Sequence, residues 1–380
     1  MAAPPPVGES VLVVNAGSSS LKVKAYPAGV RLHVERIGER GGHTHETALE
    51  ECLARLAGEG GDYAPAVVGH RVVHGGTRYT APTVVDDEVE AGIAALCDLA
   101  PLHNPANLAA LRAARRLLPR ATHVAVFDTA FHATLPRRAY LYGLPLAYAE
   151  RGLRRYGFHG TSHDYVTREA ARLLGRRREE LRIVSLHLGN GASGTAVDRG
   201  EVVDTSMGLT PLEGLLMGTR SGDVDPGLIL HLLREGMSPS ELDDLLNRRS
   251  GLAGMSGVGN DMRDVRAAAA RGSDAAAAAL EVYVYRVRKL VGAYAAAMGG
   301  LDAVVFTGGV GQNDPATRAA ALEGLGFLGI ELDPAANAAG GPVASTPDSR
   351  VAVLVLETDE EVMIAAQAVE VARRAGGTPS

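Results

Sequence analysis

Val13-Val14-Asn15-Ala16-Gly17-Ser18-Ser19-Ser20-Leu21-Lys22-Val23 is matched, almost half the chain later, by Leu186-His187-Leu188-Gly189-Asn190-Gly191-Ala192-Ser193-Gly194-Thr195-Ala196-Val197. Each reads as an apolar strand, an asparagine with small residues, a serine, and a second strand. Two such segments at that spacing suggest a duplicated domain with a phosphate-holding hairpin in each half and nucleotide bound between them. Gly/Ser/Asn turns recur in many hairpins, so the repeat needs support from its surroundings.

That support comes from alternation. Strand-like apolar runs at 11–15, 66–69, 123–127, 183–188, 303–306 and 351–356 are interspersed with helical patterns at 106–118, 164–174, 273–298 and 360–374. The order predicts an α/β protein. In the Ala-rich run at 267–280, the later part, followed by Val282, Val284, Val287 and Val291, reads as the start of a buried helix. The first nine residues and residues 376–380 read as frayed ends. A chain of 380 residues suits two domains. The expected division is 1–132 plus 362–380, and 133–361.

A formal charge of −6 argues against a nucleic-acid footprint, which needs a basic face. An anionic substrate must then be met by individual cations. With only Cys52 and Cys97 there is no disulfide framework, and a reducing cytosol is the simplest compartment. No signal peptide and no membrane-spanning apolar run is expected, so the reading is a cytoplasmic protein.

In the first hairpin, small residues let backbone N–H groups approach an anion, and Lys22 adds a point charge. Phe306-Thr-Gly-Gly-Val-Gly-Gln-Asn313 follows a strand and is expected to lead into a helix at 314–323, another phosphate-type turn. No P-loop is present. Gly324-Leu-Gly326-Phe-Leu-Gly329 satisfies the dinucleotide spacing, but it follows a helical run and is set aside. His70 and His74 lie in a strand-like segment, and His159 and His163 flank a turn entering a helix. With no H-E-x-x-H among the twelve histidines, a zinc enzyme is disfavoured. Hard oxygen ligands such as Asp128 and Glu360–Glu361 suit Mg²⁺ better. Arg71, between strand and glycine turn, and Arg220, in Gly218-Thr-Arg-Ser-Gly-Asp223, are the candidates for clamping carboxylate and phosphoryl oxygens.

VLVVNAGSSSLK, GHRVVHGG, APLHNPANL, FDTAFH, YGFHGTSH, HLGNGAS, DTSMGLTPLEGLLMGTRSGDVDPG and FTGGVGQN occur in that order. Together they resemble the acetate kinase family, of the acetate and sugar kinase/Hsc70/actin superfamily, over nearly the whole chain. The resemblance implies a duplicated ribonuclease H-like, actin-like two-domain α/β fold with a nucleotide cleft between domains. It also implies a homodimer that phosphorylates acetate with ATP and Mg²⁺, or Mn²⁺ in its place. Asn15 and Glu360 would hold the metal, and Lys22 would approach the nucleotide. Arg71 would bind the carboxylate, with Val73, Leu102, Phe158 and Pro211 around the methyl group. Asp128 would be the catalytic aspartate, positioning the metal or its water rather than accepting a proton. His159 and Arg220 would stabilise the transition state. ATP/ADP would contact His187, Leu188, Gly189, Asn190 and Gly191, then Asp261, Met262 and Arg263, then Gly309, Val310, Gly311, Gln312 and Asn313.

Two departures stand out: Gln312 replaces the family's usual Glu, and Gly308-Gly309 replaces Ala-Gly. The chain also falls short before residue 66. Propionate or butyrate kinases are the nearest alternatives, and an actin- or Hsc70-like ATPase module a more distant one.

Overall fold

Val11, Leu12, Val13 and Val14 are all buried, so the first strand must be covered on both faces. The computed structural model describes residues 9–376 except 18, 39–41 and 59–62. The terminal stretches read as frayed, apart from residues 9 and 376, lie outside the described residues, as does Ser18 of the triple-serine turn. Strands β1 (Val11–Ala16), β2 (Ser20–Tyr26) and β3 (Val30–Glu35) form an antiparallel meander. Strand β4 (Val67–Val72) runs parallel to β1 and to β6 (Thr122–Phe127), with the two-residue β5 (Thr83–Val84) antiparallel at the edge. The sheet order is β3-β2-β1-β4-β6-β5.

Alternation sends Leu12 and Val14 to one face, where Leu49, Cys52, Ala110 and Ala114 of helices His45–Ala57 and Asn104–Leu117 cover them. Val11, Val13, Val124 and Val126 meet Ile364, Ala365 and Ala368 on the other face. Those residues belong to helix Glu360–Ala375, which Asp359 starts by accepting from the Val362 N–H at 3.0 Å. Asp359 also pairs with Lys24 at 2.9 Å.

A second sheet has the order β11-β10-β7-β8-β9. Strands β7 (Arg182–Leu188), β8 (Ala192–Asp198) and β9 (Glu201–Thr205) again make an antiparallel meander. Strands β10 (Ala303–Thr307) and β11 (Ala352–Val355) add to it in parallel. Helix Asp274–Met298, capped by Ser273 and closed by Gly299 in the left-handed region, packs on β8. Both sheets therefore share one plan: a three-strand meander, then two strands parallel to its first member. That is the duplication the paired hairpins suggest and the ribonuclease H-like topology the family resemblance implies.

The chain divides into two compact units, Met1–Ala133 with Gly160–Tyr165 and Asp359–Ser380, and Thr134–His159 with Val166–Thr358. By this division the C-terminal part of the first unit starts at Asp359, where the sequence reading starts it at 362. Asp359, Glu360 and Glu361 belong with the first sheet because the cap and the Lys24 pair anchor the helix start there. Two local expectations change. Arg71 lies inside β4, opposite Val126, rather than between strand and turn. The glycine-rich segment after β10 is itself a short helix, Gly308–Asn313, followed by a second, Pro315–Leu322, capped by Asp314.

The imidazoles of His70, His123 and His132 are among those the first unit buries. His70 Nε2 and His123 Nδ1 are 2.9 Å apart, and the two rings stack. Burial chiefly lowers the pKa of both, and brings that of His132 down to about 3. The unfolded chain takes up these protons near pH 6.5, and the folded chain only at lower pH. Stability is therefore expected to fall as pH drops below about 6.5, by at most about 1.4 kcal/mol per pH unit for each such histidine. Equilibrium unfolding at pH 7, 6 and 5 checks this, and a pH-independent midpoint would contradict it.

Candidate active site

In the first unit the site grows from adjacent parallel strands. Arg71 on β4 and Asp128, just past the end of β6, face each other through a two-point contact. Nε lies 3.0 and 3.1 Å from the carboxylate oxygens, and Nη2 donates to Oδ2 at 2.7 Å. Nη1 donates to Asn15 Oδ1 at 3.2 Å, which brings the end of β1 into the cluster. The guanidinium has five N–H donors, so two remain that the described residues do not engage. Asp128 is 1% exposed and Arg71 21%. Burial opposes the Arg71 charge, but Asp128, Glu360 and Glu361 outweigh it and raise its pKa. Burial, then Asp128 and Glu361, hold the Glu360 carboxyl above the usual range against the pull of Arg71 and Lys22. Lys22 is exposed on β2, directly opposite Asn15. The first unit thus brings together Asn15, Lys22, Arg71, Asp128 and Glu360. Val73 is buried just after β4, and Leu102 stands 39% exposed.

In the second unit the convergence point is the turn Gly189–Gly191 between β7 and β8. A Cβ on Gly191 would lie 3.3 Å from Arg220 Nη1 and 3.4 Å from His159 Cε1, so guanidinium and imidazole crowd the same backbone. His159 has φ 57°, a left-handed conformation rare outside glycine. Its ring stacks on His187 at 4.3 Å, and Nδ1 lies 2.9 Å from Ser193 Oγ. Strain of this kind clusters at working sites. Arg220 Nη1 donates to the Pro211 carbonyl at 3.1 Å. No carboxylate of the described residues pairs with it, and burial lowers its pKa. Asn190 is exposed at the turn, its side chain accepting from Asn260 at 2.8 Å. Phe158, the residue before His159, is 2% exposed.

The other two stretches named from sequence are joined by an ion pair. Asp261 caps helix Met262–Ala270 and is held by Arg263, which lowers its pKa to about 2. One turn on, Arg266 donates to Asp314 at 2.6 Å, immediately after Asn313. Met262 and Leu188 are buried. Gly308 has φ 78°, and a Cβ on it would sit 2.8 Å from the Leu188 carbonyl oxygen, so β7 and the short helix can approach only at glycine.

Sequence reasoning missed Arg318. This 1% exposed guanidinium donates to the carbonyls of Gly311, Gln312 and Asn337 at 2.6–2.8 Å, and to the Asn337 side chain at 2.7 Å. It satisfies the carbonyls left over where helix Gly308–Asn313 ends. Nothing local marks it, since an arginine in an Ala-rich helix usually faces water. Arg318→Met would leave those carbonyls unmet and is expected to cost about 3 kcal/mol or more, as buried unsatisfied groups do. Urea unfolding checks this, and an unchanged midpoint would contradict it.

A duplicated ribonuclease H-like fold with a carboxylate–arginine cluster in one unit and an arginine–histidine–glycine cluster in the other defines an enzyme of phosphoryl transfer. The model for the acetokinase family matches residues 32–366. The acetate kinase of Leifsonia xyli subsp. xyli strain CTCB07 is 52% identical over 391 residues, covering 95% of this chain and 98% of that protein. The crystal structure of Porphyromonas gingivalis acetate kinase matches at TM-score 0.89 and 42% identity, over 96% of this chain and 100% of that one. A propionate kinase from Francisella tularensis subsp. tularensis SCHU S4 matches at TM-score 0.88 and 36% identity, with the same coverage. The chain belongs to the acetokinase family, whose members are carboxylate kinases.

Proposed function

We propose that this protein transfers the γ-phosphoryl group of ATP directly to acetate, giving acetyl phosphate and ADP, and catalyses the reverse reaction. The observation that carries this is Arg220: a guanidinium held by a backbone carbonyl, without a carboxylate partner among the described residues, beside His159 and a glycine turn. Such a group is poised for an anion. Acetate is ionised at neutral pH and needs no general base, so the enzyme's task is to align two anions and offset their repulsion.

In this account the two open donors of Arg71 take the acetate carboxylate, and Val73, Leu102, Phe158 and Pro211 contact its methyl group. Arg220 and His159 donate to the phosphoryl oxygens. Lys22, His187–Gly191, Asp261–Arg263 and Gly309–Asn313 hold the nucleotide, with Gln312 tuning affinity where the family resemblance implies a glutamate. Asp128 orients Arg71, a role supported by both its oxygens being engaged there. The oxygen donors of Asn15 and Glu360 beside an excess of carboxylates suit Mg²⁺, or Mn²⁺, which would neutralise phosphate charge when bound. A cytoplasmic homodimer belongs to the same proposal. Support comes from exposed Leu228, Leu230 and Leu233 on helix Pro226–Arg234, and from free Cys52 and Cys97. No helix among the described residues is long and apolar enough to cross a membrane.

Trapping acyl phosphate as hydroxamate, from ATP with acetate, propionate or butyrate and with or without Mg²⁺, tests the function. Metal-dependent product, greatest with acetate, is expected. ADP release that ignores the carboxylate would overturn the proposal.

A further inference from the structure

After Val72 the chain leaves the sheet, yet four successive backbone N–H groups each find a side chain. Val73 N–H donates to Asn107 Oδ1 at 3.0 Å, and His74 N–H to Asn104 Oδ1 at 3.0 Å. Gly75 N–H donates to Thr129 Oγ1 at 3.0 Å, and Gly76 N–H to His74 Nδ1 at 2.9 Å. The two asparagines then use their other ends. Asn104 Nδ2 donates back to the His74 carbonyl at 3.1 Å, and Asn107 Nδ2 to the Ala16 carbonyl at 2.7 Å. Asn104 is 0% and Asn107 3% exposed, so water does not substitute for either bond.

We infer that Asn104 and Asn107 are positioning residues that fix the acyl-binding wall of the enzyme and thereby its preference for a short carboxylate. This role rests on the function proposed above. Asn107 ties Val73, two residues past Arg71, to Ala16, the neighbour of Asn15. Asn104 stands two residues after Leu102 and grips His74, the neighbour of Val73. Two side chains on one turn of helix Asn104–Leu117 thus set the mutual spacing of three stretches, which carry the proposed metal, carboxylate and methyl contacts. Only an amide meets a donor with its oxygen and an acceptor with its nitrogen. Aspartate would turn an anion toward the Ala16 carbonyl, and leucine would leave both partners unmet.

The two ends of the Asn107 bridge differ in independent support. Ala16 lies in the β1–β2 ladder, opposite Leu21, and stays in place without it. The 73–76 loop has no ladder and owes its position to these side chains. Loss of the amide therefore moves Val73 rather than the hairpin. Displacements of about 1 Å from a productive geometry commonly cost up to ~10²-fold.

Steady-state kinetics of Asn107→Ala and Asn107→Ser, with acetate, propionate and butyrate, tests the inference. The KM for acetate is expected to rise about tenfold or more while that for ATP stays within about twofold. The kcat/KM preference for acetate over butyrate is expected to fall about tenfold, the scale of a methylene in an apolar pocket. An unchanged acetate KM and preference would overturn it, as would equal increases for both substrates, which mark general loosening. Should both variants fail to fold, Asn104→Ser is read by the same ratios. The unsubstituted protein in the same assay separates the two ideas. If it makes no acetyl phosphate, the function fails and the inference with it; if it turns over normally while the variants match it, the inference alone fails.

Discussion

Arg220→Ala is expected to lower kcat by ~10²-fold or more while leaving the protein about as stable as before. The rate effect follows from removing a preorganised donor at the transferring group, commonly worth ~10²–10³-fold, or about 3–4 kcal/mol. The stability effect follows from the side chain's surroundings. Burial depresses its pKa, and among the described residues no carboxylate pairs with it, so truncation strands no buried anion. What is lost is a bond to the Pro211 carbonyl. Arg220→Lys keeps the charge but not the planar fork, and should fall between. Turnover within a few-fold of normal for the alanine variant would exclude Arg220 from the reaction.

Arg71→Ala is expected to damage both properties. Asp128 is 1% exposed, and the structure gives its two oxygens to Arg71. Removing the guanidinium leaves that carboxylate buried without its partner, which typically costs about 3–5 kcal/mol. The KM for acetate should rise by ~10²-fold, the scale of losing a charged bond in a desolvated site. The double variant Arg71→Ala/Asp128→Ala separates the effects, because removing both partners of a buried pair is far cheaper than removing one. It should recover much of the urea midpoint and none of the acetate affinity. Recovery of acetate affinity would show that Arg71 serves the fold rather than the substrate.

Much of this was legible because it is local. Asn15 and Asn190 sit at equivalent hairpins, and glycine turns beside Arg220 and His159 announce close approach without coordinates. The elements at 106–118, 273–298 and 360–374 carry their own periodicity, and the last two their capping residues, Ser273 and Asp359. What escaped the sequence depends on distant partners. Asn107 is defined by Ala16, and Arg318 by Asn337, and neither has a neighbour in sequence that betrays the bond. Gly308–Asn313 is helical although glycine disfavours helix, because the close approach to β7 requires it there. The first unit reclaims Asp359 because a cap and the Lys24 pair, the latter from the opposite end of the chain, hold it.

Direct attack of acetate on the γ-phosphoryl group, with fixed cationic charge in place of a covalent relay, is the central claim. The stereochemical course at phosphorus tests it most directly, using ATP made chiral at the γ-position with sulfur and oxygen isotopes. A single in-line displacement predicts inversion in the acetyl phosphate product. Retention would require a phosphorylated enzyme intermediate and would contradict direct transfer.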